Sequence, residues 1–323
     1  MLLLFMAGLQ TLIYLFGDIA LRQLVMDILP LATCLHLLFY ALEGLQIFNH
    51  GDPGILALFR NEQGLIERPS GLMSEPSYYG TFAAMYATPL ILFGGKRKNL
   101  NRILAIALLI TALLINAKTM FIVLGAQLLY LATARKSPVM KAMFVVVIAI
   151  VVLGGGYLMT NGATLSFDEN LSSIMRLGSN MLALNVATEG YGLIGVGTGQ
   201  FHFMYRPEYA PDYLFLSQEA LDQMYGLSGS RASTFNFPLR LLVESGLPGL
   251  ILAGLMFLRV FWSLRRTTDP ITQTGLCFLA GSLGFLMTQD SYSLPSLAFG
   301  LALAVTGTAT NGVQVPPYRS KLS

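Results

Sequence analysis

The stretch Ser233-Thr-Phe-Asn-Phe-Pro-Leu-Arg-Leu-Leu-Val-Glu-Ser-Gly-Leu-Pro-Gly249 joins the two kinds of sequence from which this chain is built. After it runs Leu250-Ile-Leu-Ala-Gly-Leu-Met-Phe-Leu258, apolar and free of charge. Before it lies a long polar stretch, residues 162–235. At the junction Pro238 falls in the first turn of a helix, where its missing N–H costs little. Asn236, Arg240 and Glu244 follow at intervals of four, on one helix face. An ionisable pair just inside an apolar helix is a functional candidate. The alternative reading is a pair that only neutralises itself, or an arginine reaching toward lipid headgroups.

The same apolar quality recurs on either side of this junction. Of 323 residues, 54% are hydrophobic and 11% charged, with mean hydropathy +0.62; an average soluble domain carries about a quarter charged residues. An integral membrane protein is expected. Lipid offers the backbone no hydrogen-bond partner, so the spans are read as helices, and the alternation of an outer-membrane barrel is missing. A bilayer core of about 30 Å takes about 20 helical residues. On that measure nine spans are expected, at 2–16, 28–48, 78–95, 101–116, 119–134, 140–160, 236–258, 274–290 and 294–312. Asp18, Arg22 and Asp27 break the apolar run between the first two, so 1–26 is also compatible with a helix lying along the interface. No basic segment precedes the first run and no small-residue cleavage pattern follows it, so no cleaved signal peptide is expected.

Basic residues in the short connectors set the orientation. Lys96, Arg97, Lys98 and Arg102, then Arg135, Lys136 and Lys141, then Arg259, Arg265 and Arg266, then Arg319 and Lys321 fall on one side when the spans alternate. With Arg22 that side holds 13 basic and three acidic residues, and the remainder of the chain seven basic and 14 acidic. The basic side is read as cytoplasmic. Residues 49–77, 117–118, 161–235 and 291–293 then face outward, and parity puts the N-terminus outside, which leads us to expect further helices upstream. The expected organisation is a single integral membrane domain over 1–323 with a large outward loop at 161–235.

Several functions find no support in the residues. Cys34 and Cys277 fall inside expected spans and are read as small packing residues. His36, His50 and His202 are isolated, so no metal site is expected. There is no Walker A sequence, and Gly195-Val-Gly-Thr-Gly199 does not fit a dinucleotide fingerprint. No cofactor and no nucleic-acid partner is expected. Gly195, Gly197 and Gly199 are read as turn residues that permit close backbone approach.

Arg60, Arg68, Lys118, Arg176, Arg206, Arg231 and Arg240 are the basic residues assigned to the outward side. Cations gathered at an outer membrane face suit a compact, strongly anionic ligand, and a diphosphate accepts the bidentate fork of arginine. A location beside lipid suggests that the diphosphate belongs to a lipid. Phe201, Phe203, Tyr205, Tyr209, Tyr213 and Phe215 follow Arg176 in sequence, either as a platform for sugar faces or as interfacial anchors.

Four passages resemble the O-antigen polymerase and ligase family, the Wzy-type polymerases and lipid-A-core ligases of bacterial surface polysaccharide assembly. They are Arg68-Pro-Ser-Gly-Leu-Met-Ser-Glu-Pro-Ser77; the turn Asn116-Ala-Lys-Thr-Met-Phe-Ile122; Arg176 followed by Gly195-Val-Gly-Thr-Gly-Gln-Phe201; and Asn236 through Glu244-Ser-Gly246 to Gly249. The resemblance covers about residues 60–312 and rests on the order and spacing of the passages. It implies an all-α, GT-C-like bundle of the bacterial inner membrane whose active face is periplasmic. The implied substrate is an undecaprenyl-diphosphate-linked oligosaccharide, and the implied partners are a chain-length regulator and a flippase.

On this resemblance the reaction is metal-independent glycosyl transfer. Arg176, with Lys118, Arg68, Arg240 and Arg231, is expected to bind the diphosphate and stabilise it as it leaves. Glu75 or Glu244 is the candidate acceptor for the hydroxyl proton. Tyr205, Arg206 and Asn236 are the candidate glycan contacts. The chain departs from the family pattern twice. Phe235 stands where ligases place a histidine, which favours polymerase over ligase, and Lys118 replaces an arginine in the short turn. A lipid-linked oligosaccharide transporter is the alternative from another class, but the inverted repeat it calls for is not read in the sequence.

Overall fold

The computed structural model describes residues 18–44, 76–93, 97–115, 117, 119–134, 171–204, 209, 236–264, 267, 269–288 and 295–312. Its main helices are α1 (Asp18–Gly44), α2 (Pro76–Phe93), α3 (Lys98–Leu114), α4 (Thr119–Ala134), α5 (Leu171–Val186), α6 (Phe237–Leu264), α7 (Pro270–Leu286) and α8 (Pro295–Gly312). No strand occurs among the described residues. Helices stand at seven of the nine expected spans; 2–16 and 140–160 lie outside the described residues. Among the described residues α6 is long and apolar enough to cross a bilayer, while α4 and α7 are apolar but shorter.

Two differences from the sequence reading stand out. Residues 18–26, where the charges interrupt the apolar run, continue α1 without a break. Charge here ends the apolar run without ending the helix. Within the loop expected at 161–235, α5 forms a 16-residue helix. Ser179, Leu182, Ala183 and Val186 are buried on it, at the i, i+3, i+4, i+7 spacing of a one-sided helix.

The chain divides into two compact units, one of Met1–Lys141, Leu264–Gly284 and Ser293–Ser323, the other of Ala142–Ser263 and Phe285–Tyr292. The first is held together by small residues and neutral hydrogen bonds. A Cβ at Gly275 would strike the Ala304 backbone nitrogen, and one at Gly300 would come within 2.6 Å of the Leu279 nitrogen, so α7 and α8 cross almost backbone to backbone. Close approach of this kind increases dispersion contact between the two helices. Gln127 of α4, fully buried, accepts a 2.6 Å bond from Thr88 Oγ1 and donates 3.2 Å to the Cys277 carbonyl, tying α2, α4 and α7. Aromatic rings continue the packing from Phe82 to Tyr86 to Phe278 to Phe299. On α3 the burial runs opposite to that of a soluble helix. Asn101, Ala105, Leu108 and Ala112 face inward while Ile103, Ile106, Ile110 and Leu113 are exposed.

Candidate functional site

The second unit contains α5, α6 and the glycine-rich segment between them. α6 is not one continuous helix, since Gly246 adopts φ +67°, ψ −176° and breaks it into two pieces, 237–245 and 247–264. Such a conformation is open to glycine and strained for other residues. Pro248, second residue of the new piece, has a fixed φ suited to a helix start.

This break leaves two carbonyls without their helical donors. The Glu244 carbonyl would take its bond from the amide four residues on, but that residue is Pro248, which has none. The Val243 carbonyl loses its partner because the chain turns away at Gly246. Both are satisfied from the glycine-rich segment, where the Val196 amide donates to Val243 O at 2.8 Å and the Gly197 amide to Glu244 O at 2.9 Å. Fit at that distance requires glycine on both sides. A Cβ at Gly195, itself at φ +88°, would land on the Glu244 carbonyl, and one at Gly246 would lie 2.6 Å from the Leu193 oxygen. Gly195 and Gly246 thus serve close backbone contact, while the amides directed at α6 are those of Val196 and Gly197.

Of the ten residues singled out from the sequence, Asn236, Arg240 and Glu244 come together on the first piece of α6. Asn236 caps it: its Oδ1 accepts from the Leu239 amide at 3.0 Å, and its Nδ2 donates to the Met287 carbonyl at 3.3 Å. Arg240 Nε donates to Glu244 Oε1 at 3.1 Å, with the arginine side chain 13% exposed and the carboxylate fully buried. Removing this carboxylate from water carries a desolvation penalty, which the adjacent guanidinium offsets in part. The same residue therefore carries the buried charge and, through its carbonyl, the docked loop. Arg176 lies on α5, with its side chain outside the described set. Glu75, Arg68, Lys118, Arg231, Tyr205 and Arg206 also lie outside the described residues.

The aromatic run after the glycines is partly core. Phe201 is fully buried, and Tyr209 is buried with its carbonyl accepting from Asn185 of α5 at 2.9 Å. Phe203 is 60% exposed. Among the described residues no cluster of histidine, cysteine, aspartate or glutamate could hold a metal. Gly246 entered the sequence reading only as part of the family-like passage, and Pro248 was not singled out. Their signal was available: a proline four residues after Glu244 guarantees an orphaned carbonyl that something must satisfy. No protein-family model matches the chain, and no curated protein matches it either.

Proposed function

We propose that this chain is a multi-pass glycosyltransferase of the bacterial inner membrane, a surface polysaccharide polymerase joining undecaprenyl-diphosphate-linked repeat units at the periplasmic face. The observation that carries the proposal is the buried Arg240–Glu244 pair at the head of the one described helix able to cross a bilayer. Burying a carboxylate and an arginine costs several kcal/mol in desolvation, roughly offset at best by their attraction. Retaining them at the end of an apolar helix fits a working site better than a stabilising one. The outward-facing isoleucines of α3 add support for a lipid environment, since such a surface in water would invite association.

In this proposal the oxygen of an acceptor sugar hydroxyl attacks the anomeric carbon of the donor glycan. The bond from that carbon to the diphosphate oxygen breaks with its electron pair, and undecaprenyl diphosphate departs. The hydroxyl proton passes to a carboxylate, Glu244 or Glu75. Arg240 Nε donates to the Glu244 carboxylate, and the guanidinium contributes positive charge beside the leaving diphosphate. Arg176, Lys118, Arg68 and Arg231 supply further positive charge for the leaving group, and Tyr205, Arg206 and Asn236 contact the glycan. Asn236, bonded to the Leu239 amide and the Met287 carbonyl, also fixes the helix start.

Deleting the gene and examining surface glycan tests the proposal. The expected result is loss of long chains while single repeat units still reach the surface. Accumulation of unattached polymer would indicate a ligase instead, and repeat units trapped on the cytoplasmic side a flippase.

A further inference from the structure

The glycine-rich segment carries, besides its docking amides, a group of exposed apolar side chains. Tyr191 is 38% exposed, Leu193 69% and Ile194 86%. These residues lie next to the second piece of α6, and together Leu193, Leu247, Pro248, Ile251 and Leu252 line an open groove of about 470 Å³. Every side chain lining it is apolar. In water such a patch would be a liability.

Length along α6 fixes what surrounds the groove. At about 1.5 Å per residue the piece 247–264 rises about 27 Å, close to the ~30 Å of a bilayer core. It is followed by the basic pair Arg265-Arg266 and preceded by the buried Glu244. The break at Gly246 therefore marks the outer boundary of the hydrocarbon, and Leu247 to Leu252 form the first turns inside it. The groove is continuous along the helix with Leu255, Met256 and Leu258, each more than half or about half exposed. Leu193 and Ile194 are held at this depth by the bonds from Val196 and Gly197 and by the contact with Gly246. Thr188 and Glu189, polar and exposed, come before the turn at Gly190, and a headgroup layer accommodates them.

We infer that residues 191–194 dip into the hydrocarbon of the outer leaflet and that lipid chains fill the groove between them and α6. The inference rests on α6 crossing the membrane and is independent of the chemistry proposed above. It makes the glycine-rich segment a membrane-seated element of an otherwise polar loop, with the Arg240–Glu244 pair directly above the lipid it touches.

Tryptophan fluorescence of the full chain in phosphatidylcholine nanodiscs tests this. Trp262 is the only tryptophan, is 63% exposed on α6 and reports whether that helix lies in lipid. In Trp262→Phe combined with Ile194→Trp, the new indole is expected to emit at short wavelength. It should be quenched severalfold more by lipids brominated near the headgroup end of their acyl chains than by aqueous iodide. Leu193→Trp provides a second position with the same expectation. Strong iodide quenching without bromine quenching would overturn the inference by placing the segment in water. Protection from both quenchers would also overturn it, by showing that protein covers the groove. If native Trp262 itself escapes bromine quenching, α6 does not lie in lipid, and the inference falls together with the membrane reading.

Discussion

The crossing of α7 and α8 and the junction of α6 with the glycine-rich segment both bring backbones into contact through glycine, yet they solve different problems. At Gly275 and Gly300 the glycines keep helical conformation and only make room. At Gly195 and Gly246 they also supply left-handed φ, and the contact satisfies carbonyls that Pro248 and the break had orphaned. The first arrangement lowers energy through packing alone. The second brings a glycine-only backbone conformation and a buried ion pair together in one place.

Several substitutions test this contrast. The largest effect is expected from Arg240→Met, which removes the guanidinium 3.1 Å from the buried Glu244 carboxylate, at a cost of about 3–5 kcal/mol. Unfolding in mixed micelles should show the loss, and Arg240→Met combined with Glu244→Gln should recover more than half of it. A loss below about 1 kcal/mol would be that of an exposed surface pair and would remove the distinction between the two regions. Next comes Gly246→Ala, expected to cost about 1–3 kcal/mol in backbone strain alone and to abolish hydrogen-exchange protection at the Val196 and Gly197 amides. Gly254→Ala, in open space on the same helix, should instead be neutral or stabilising by up to about 1 kcal/mol.

Within the first unit, Gln127→Met strands the Thr88 hydroxyl and should cost about 1–3 kcal/mol, read as a lowered midpoint of unfolding. Adding Thr88→Val is expected to restore most of it while leaving glycan chain length in cells unchanged. Asn236→Ala is the mildest change, about 1 kcal/mol for a lost helix cap. Asn236→Asp retains the accepting oxygen and should cost less. Equal loss from both would mean that the bond to Met287, not the cap, is what matters.

Much of the helical arrangement was legible because apolar runs of about 16–23 residues announce themselves; α4 begins and ends where its run does. The Arg240–Glu244 pair was legible from its spacing of four. α5 was less so, since its exposed Met181 and Leu184 and buried Ser179 blur the periodicity inside a stretch read as polar loop. Gln127 escaped notice because one amide inside an apolar run looks incidental until three helices converge on it. The docking of residues 195–197 on α6 joins positions nearly fifty apart in sequence, and periodicity within either segment says nothing of such a contact. Pro248 shows that part of it could have been reasoned: a missing amide implies a donor elsewhere, although not which one.

The most direct test is elongation by the purified full-length chain in a bilayer supplied with undecaprenyl-diphosphate-linked repeat units. The expected result is a ladder of longer glycans still attached to lipid, with one undecaprenyl diphosphate released for each bond formed and the ladder suppressed in Glu244→Gln. Repeat units that remain single, with no diphosphate released by a folded, bilayer-inserted chain, would contradict the polymerase reading.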